Sequence, residues 1–214
     1  MPMRMDDHAV YVYASFDELE ILPRSAERPI EFDALAWVGG DFNRLWAKAR
    51  GGQATAGGGT SELEGQFLYG RVLSPYWDVQ AGVRMDARRE GGRTRTRSLL
   101  AVGLQGLAPY WFELEPTLFA SQDGDLSARL EARYELSFTQ RLILEPELRM
   151  DVALQGVPEF GVGTGVSSLE AGVRARYEIV RELAPYLGVT WLSDFGRGAN
   201  PARATFVAGL RAWY

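Results

Sequence analysis

RATFVAGLRAWY, Arg203 to Tyr214, closes the chain on an aromatic residue. Counting back from Tyr214 in steps of two gives Ala212, Leu210, Ala208 and Phe206, an unbroken apolar face, while Arg211, Gly209 and Thr205 fall on the other side. A period of two marks a β-strand with one greasy face. Chain ends fray unless something ties them down, so a pattern that runs to the last residue predicts a terminus that is itself paired. The value of this strand depends on whether the rest of the chain supplies the others.

It does. From Val10 onward the chain reads as about a dozen alternating segments, separated by Gly, Pro, Asn or Asp clusters. In Leu126 to Phe138, Leu126, Ala128, Leu130, Ala132, Tyr134, Leu136 and Phe138 oppose Arg129, Glu131, Arg133 and Glu135. Trp77 to Asp86, Leu142 to Val152 and Leu169 to Ile179 repeat the scheme, each with an apolar face set against acids and arginines. The connections alternate in kind. Short ones stand at Gly39 to Asn43, Leu73 to Pro75, Leu107 to Pro109, Thr139 to Arg141 and Arg181 to Pro185. Longer or more flexible ones stand at Ile21 to Pro29, Gly51 to Thr60, Arg88 to Arg93, Ser121 to Asp125, Ala153 to Val166 and Ser193 to Ala202. SPYW at Ser74, APYW at Ala108 and APY at Ala184 place Tyr and Trp just after short turns, as an interfacial aromatic girdle would.

Alternating strands also describe a soluble sandwich with its charged face in water. Segment length favours a membrane: soluble strands average about 5 to 6 residues, a tilted spanning strand roughly 9 to 11. Apolar faces that mix Ala freely with Leu and Tyr suit lipid better than a close-packed interior. The expected fold is all-β, a transmembrane antiparallel up-and-down β-barrel of 12 strands over residues 9–214. The closing strand resembles that of bacterial outer-membrane barrels. Composition agrees, with 24 Gly, 9 Tyr, 6 Trp and 10 Phe among 214 residues. The longest run without charge, Ser98 to Phe112, contains Pro109 and falls short of the roughly 20 apolar residues of a membrane helix. A net charge of −5 and a pI near 5.1 argue against a nucleic-acid partner. With no cysteine, disulfides and thiolate metal sites are excluded.

WVGGDFNRL at Trp37, LSPYWDVQAGVR at Leu73, GLAPYWFELEPTLF at Gly106, FTQRLILEPEL at Phe138 and RYEIVRELAPYLGV at Arg176, with the closing FVAGLRAWY, resemble the barrel domain of the bacterial copper resistance protein B family. The resemblance implies a bacterial outer-membrane protein, surrounded by lipid, that handles copper ions together with periplasmic copper proteins. It also implies a Met- and His-rich periplasmic segment ahead of the barrel, of which MPMRMDDH, residues 1–8, reads as a remnant.

The residues can carry that chemistry in two places. Met thioethers suit Cu(I), imidazole suits Cu(II), and carboxylates suit harder ions, so Met3, Met5, Asp7 and His8 form a copper-type donor set. Read plainly, the same residues are a start codon and a loose tail. The barrel interior offers Asp17, Glu18 and Glu20 as further candidate ligands, within an inward set that includes Glu64, Asp78, Arg84, Glu115, Arg129, Glu131, Arg133, Glu145, Glu147, Arg149, Glu170, Arg174 and Arg176. Acids and arginines crowded into a narrow lumen should pair and plug it; the alternative is a stepwise path for a cation. Met85 and Met150 fall on the lipid face. Catalysis finds little support, since Glu113/Glu115 and Glu145/Glu147 merely share a strand wall and His8 has no serine partner. The expected function is a monomeric, non-enzymatic barrel that binds copper, as Cu(I) or Cu(II), and passes it across the outer membrane. The competing expectation is a closed structural or adhesive barrel.

Overall fold

Pairing of the first strand with the last decides the architecture. In the computed structural model, residues 9–22, 30–53, 61–157, 160, 162–180, 182–195 and 203–214 are described. The strands are β1 (Tyr11–Ile21), β2 (Ile30–Gly39), β3 (Asn43–Gln53), β4 (Ser61–Ser74), β5 (Trp77–Glu90), β6 (Arg93–Ala108), β7 (Phe112–Ser121), β8 (Leu126–Arg133), β9 (Leu136–Ser137), β10 (Leu142–Ala153), β11 (Gly165–Tyr177), β12 (Leu183–Asp194) and β13 (Arg203–Trp213). Each is hydrogen-bonded antiparallel to its neighbours, and β13 returns to β1 with Ser15 opposite Trp213. The Ala14 N–H donates to the Tyr214 carbonyl at 3.1 Å and receives the reverse bond at 2.8 Å, so the last residue is tied into the seam. β8 and the two-residue β9 both pair with β10 and occupy one position in the wall, which makes a closed twelve-strand barrel. Closure leaves no edge strand whose amide groups would meet lipid unpaired.

The expected Leu126 to Phe138 strand is therefore interrupted after Arg133. The cause lies opposite, at Pro146 of β10: its carbonyl accepts from the Tyr134 N–H at 3.1 Å, but it has no N–H to return. Pro116 breaks the β6 to β7 ladder likewise, between Gly103↔Thr117 and Gly106↔Leu114. The Arg88 to Arg93 segment, read above as a longer loop, is a two-residue turn. Gly91 and Gly92 take φ of 56° and 80°, the left-handed pair a tight hairpin needs, and the flanking strands run on to meet it.

The two faces of the wall are inverted relative to a water-soluble domain. Outward residues such as Phe67, Leu100, Leu118, Leu187 and Phe206 are each more than 60% exposed, whereas Glu20, Gln66, Gln80, Arg84, Arg174 and Arg176 are buried inside. A continuous apolar outer surface of this kind matches the lipid-facing band of a membrane barrel and would be a severe aggregation liability in water. The start of β1, the end of β13 and the short turns share one rim, the periplasmic rim in barrels of this architecture. Tyr76, Tyr110 and Trp111 lie exposed at that rim, as an aromatic girdle requires. Tyr186 departs from the expected girdle. Strand β12 already begins at Leu183, so Tyr186 falls on the inward parity, opposite Gly209, and its ring is buried in the lumen. A Cβ on Gly209 would come within 2.5 Å of that ring.

Candidate functional site

The lumen is the only polar interior the described wall encloses, and its two halves differ. Along β2 to β7 it is packed by Trp46, Leu68, Leu99, Ala101 and Phe119, with Leu35 and Trp37 against them. Along β8 to β13 and β1 it is ionic, and ion pairs of Asp33, Lys48, Arg50, Glu64 and Arg84 extend the ionic part onto β2 to β5.

Register explains how β1 contributes three acids to one side. Asp17 is an extra residue between the Phe16↔Ala34 and Glu18↔Asp33 pairs, a β-bulge that resets the alternation. Inward positions are odd up to Asp17 and even from Glu18, so Asp17, Glu18 and Glu20 all point into the barrel. Strict alternation could not have put them there together.

Each of the three is held by arginine. The Arg174 Nε donates to Glu20 Oε1 at 2.6 Å, its Nη2 lies 3.3 Å from Glu18, and its Nη1 meets Glu147. The Tyr186 hydroxyl donates to the same Glu20 oxygen at 3.0 Å. Nearer the short-turn rim Arg211 bridges Asp17 at 3.2 Å and Glu145 at 2.8 Å, and Arg176 binds Glu145 and Glu135. Across the axis Arg50 joins Asp33 to Glu131, and Arg129 joins Glu64 to Asp151. The guanidinium fork suits this task, since one planar group satisfies two or three carboxylates at once.

A cavity of about 540 Å³ opens toward the loop rim, lined by Glu62, Asp86, Arg88, Arg129, Asp151 and Glu170 among others. Below it the ion pairs close the lumen, leaving beside Asp17, Asp33, Lys48, Glu115 and Arg133 a void of about 40 Å³. The segment between β10 and β11 reaches over the larger cavity: the Arg88 Nη1 donates to the Phe160 carbonyl at 2.7 Å, and Arg97 stacks on the Phe160 ring at 4.5 Å.

Met3, Met5, Asp7 and His8 lie outside the described residues. Chain entry at Ala9 is adjacent to the β1–β13 seam on the short-turn rim. Among the described residues no group of three or more His, Cys, Asp or Glu side chains is arranged to hold a metal ion. An ion taken up by Asp17, Glu18 or Glu20 would have to displace an arginine. Met85 is exposed on the lipid face. Asp33, Lys48, Arg50 and Tyr186 are lumen residues that sequence reading missed. The β3 pair had a usable signal, because Arg44, Trp46, Lys48 and Arg50 share one parity against Leu45, Ala47 and Ala49. Asp33 had one as well, because Glu31 and Asp33 share a parity against Ile30, Phe32 and Ala34.

The family profile described as Copper resistance protein B precursor (CopB) matches residues 10–214. The chain belongs to the copper resistance protein B family. Copper resistance protein B of Escherichia coli is 37% identical over 216 residues, an alignment that covers 97% of this chain and 71% of that protein. The copper resistance protein B homolog of Pseudomonas syringae pv. tomato is 37% identical over 219 residues, covering 99% and 72%. Among solved structures, the NanC porin aligns with a TM-score of 0.59 at 13% identity over 94% of this chain and 99% of its own. The KdgM porin aligns at 0.54 and 10% identity, over 94% and 98%. At such identities the likeness to the porins is one of fold, that of outer-membrane barrels. The five internal phrases that resemble the copper resistance protein B family cross the short-turn rim, at the connections β2 to β3, β4 to β5, β6 to β7, β9 to β10 and β11 to β12, and the closing phrase ends there.

Proposed function

We propose that this barrel sits in the bacterial outer membrane as a monomer, binds copper ions and passes them between the two faces of that membrane as part of copper tolerance. The single observation that carries the reading is membership of the copper resistance protein B family across residues 10–214. The charged lumen supports it, because an acid-rich interior behind a wide loop-side cavity lowers the barrier to a cation and raises it to an anion. In this reading Met3, Met5, Asp7 and His8 are the soft and borderline donors that hold copper at the periplasmic mouth, where the tail joins the seam, and periplasmic copper proteins exchange ions with them. Asp17, Glu18 and Glu20 then serve as relay carboxylates, exchanging arginine for metal in turn. The outward apolar band takes outer-membrane lipid as its partner, and the protein has no catalytic part.

Copper binding by the purified barrel is the direct test. Replacing Met3, Met5 and His8 together lowers affinity severalfold in calorimetry; unchanged affinity removes the tail from the mechanism. The competing reading is a closed structural or adhesive barrel, and one observation favours it: ion pairs and the Trp46 cluster fill the lumen at mid-height. Copper flux into liposomes separates the two, since a plugged wall passes none.

A further inference from the structure

Of the 23 Lys and Arg residues in the chain, one is a lysine, and it lies inside the barrel. Lys48 of β3 turns its ammonium onto Glu115 of β7, with the Gln80 Oε1 at 3.1 Å and the Trp46 ring 5.8 Å away. Its surroundings differ from those of the arginines that clamp the ionic lattice across the axis; Arg44 on Asp78 and Arg97 on Asp86 also hold one carboxylate each, but neither borders the inner void. Arg50, Arg129, Arg174 and Arg211 each clamp two or more carboxylates through a rigid fork. Lys48 holds one carboxylate through a point charge on a flexible four-carbon stem, and it borders the void of about 40 Å³ whose charged lining beyond Lys48 and Glu115 is Asp17, Asp33, Glu64 and Glu131 with Arg50 and Arg133. A void of that size exceeds the roughly 10 to 15 Å³ that one water needs, so it has room for the ammonium to swing into or for a small ion.

We propose that Lys48 is the exchangeable counter-cation of the lumen. Its ammonium occupies a seat made by the Glu115 carboxylate and the Gln80 side-chain oxygen. A metal cation takes that seat when the stem swings toward the acids around the void. No bond other than coordination is made or broken; the displaced ammonium stays in the lumen against Asp17, Asp33, Glu64 and Glu131, and the charge of the entering ion is met by Glu115. Arg50, Arg129, Arg174 and Arg211 cannot do the same, since releasing one strands several carboxylates together. This inference rests on the cation-passage reading above, and it adds the position at which passage is gated.

The single lysine makes the test clean. Reductive methylation of the full chain in micelles with carbon-13 formaldehyde gives one side-chain dimethylamine signal, from Lys48, resolved from any α-amino signal. Titration with copper(II) chloride should broaden that signal, and Glu115→Gln should suppress the broadening, also when Met3, Met5 and His8 have been replaced. In liposomes Lys48→Gln should raise copper flux severalfold, while Lys48→Arg should leave it at or below the native level. Heat-modifiable electrophoretic mobility shows that each variant is folded. A Lys48 signal unmoved by saturating copper overturns the seat, whatever the flux. Measurable flux that Lys48→Gln leaves unchanged overturns the gate. If the signal responds while no protein passes copper, the seat stands and the passage reading falls.

Discussion

Replacing Arg174 with Met should be among the most damaging single changes in the lumen. The guanidinium is 6% exposed and holds Glu18, Glu20 and Glu147, while Met keeps the stem and removes the charge. A unit pair about 4 Å apart is worth ~4 kcal/mol at an effective dielectric constant near 20. Desolvation offsets much of that gain, so the intact cluster contributes little net, but its remainder is costly. Three carboxylates would face one another in a buried wall, and breaking such a cluster from one side costs ~3–5 kcal/mol. Arg174→Met should therefore lower the free energy of denaturant unfolding in lipid by about that amount. Adding Glu20→Gln and Glu147→Gln to the same chain should restore most of the loss, because the repulsion is then gone. A loss below about 1 kcal/mol, the range of exposed ion pairs, would show that the lumen is wet enough to screen these charges and would refute the argument.

Leu100→Arg, on the lipid face, should cost ~2–4 kcal/mol in the same unfolding measurement if that face lies near the bilayer midplane. An effect near zero would place it at the interface instead. Gly209→Ala should cost ~1–3 kcal/mol by pushing the Tyr186 ring off Glu20 and crowding the Leu19 carbonyl, and Tyr186→Ala in the same chain should relieve the ring clash only, leaving the carbonyl contact and the lost hydrogen bond. Removing Trp213 and Tyr214 takes away the Ser15 pairing and both Ala14 hydrogen bonds, so the shortened chain should fail to reach the heat-modifiable folded form.

How much of this was legible depended on which forces act locally. The inverted alternation of Leu169 to Ile179, the turn residues and the apolar run of RATFVAGLRAWY all follow from a period of two, a property of a single strand that needs no partner to be read. They determined the class of fold, the closing seam and the family resemblance. What lies across the barrel was not readable. Arg174 reaches Glu20, and Arg50 reaches Glu131, over sequence separations that only closure makes short. The bulge at Asp17 likewise needs the pairing with β2 before it has any meaning, and so does the inward turn of Tyr186, which depends on the room left by Gly209. Sequence by itself determined that the chain makes a lipid-facing wall with charges inside. Only the tertiary structure decided which charges meet, leaving Lys48 with one carboxylate partner beside a void, because side-chain partners in a closed barrel are set by curvature and register and not by neighbours along the chain.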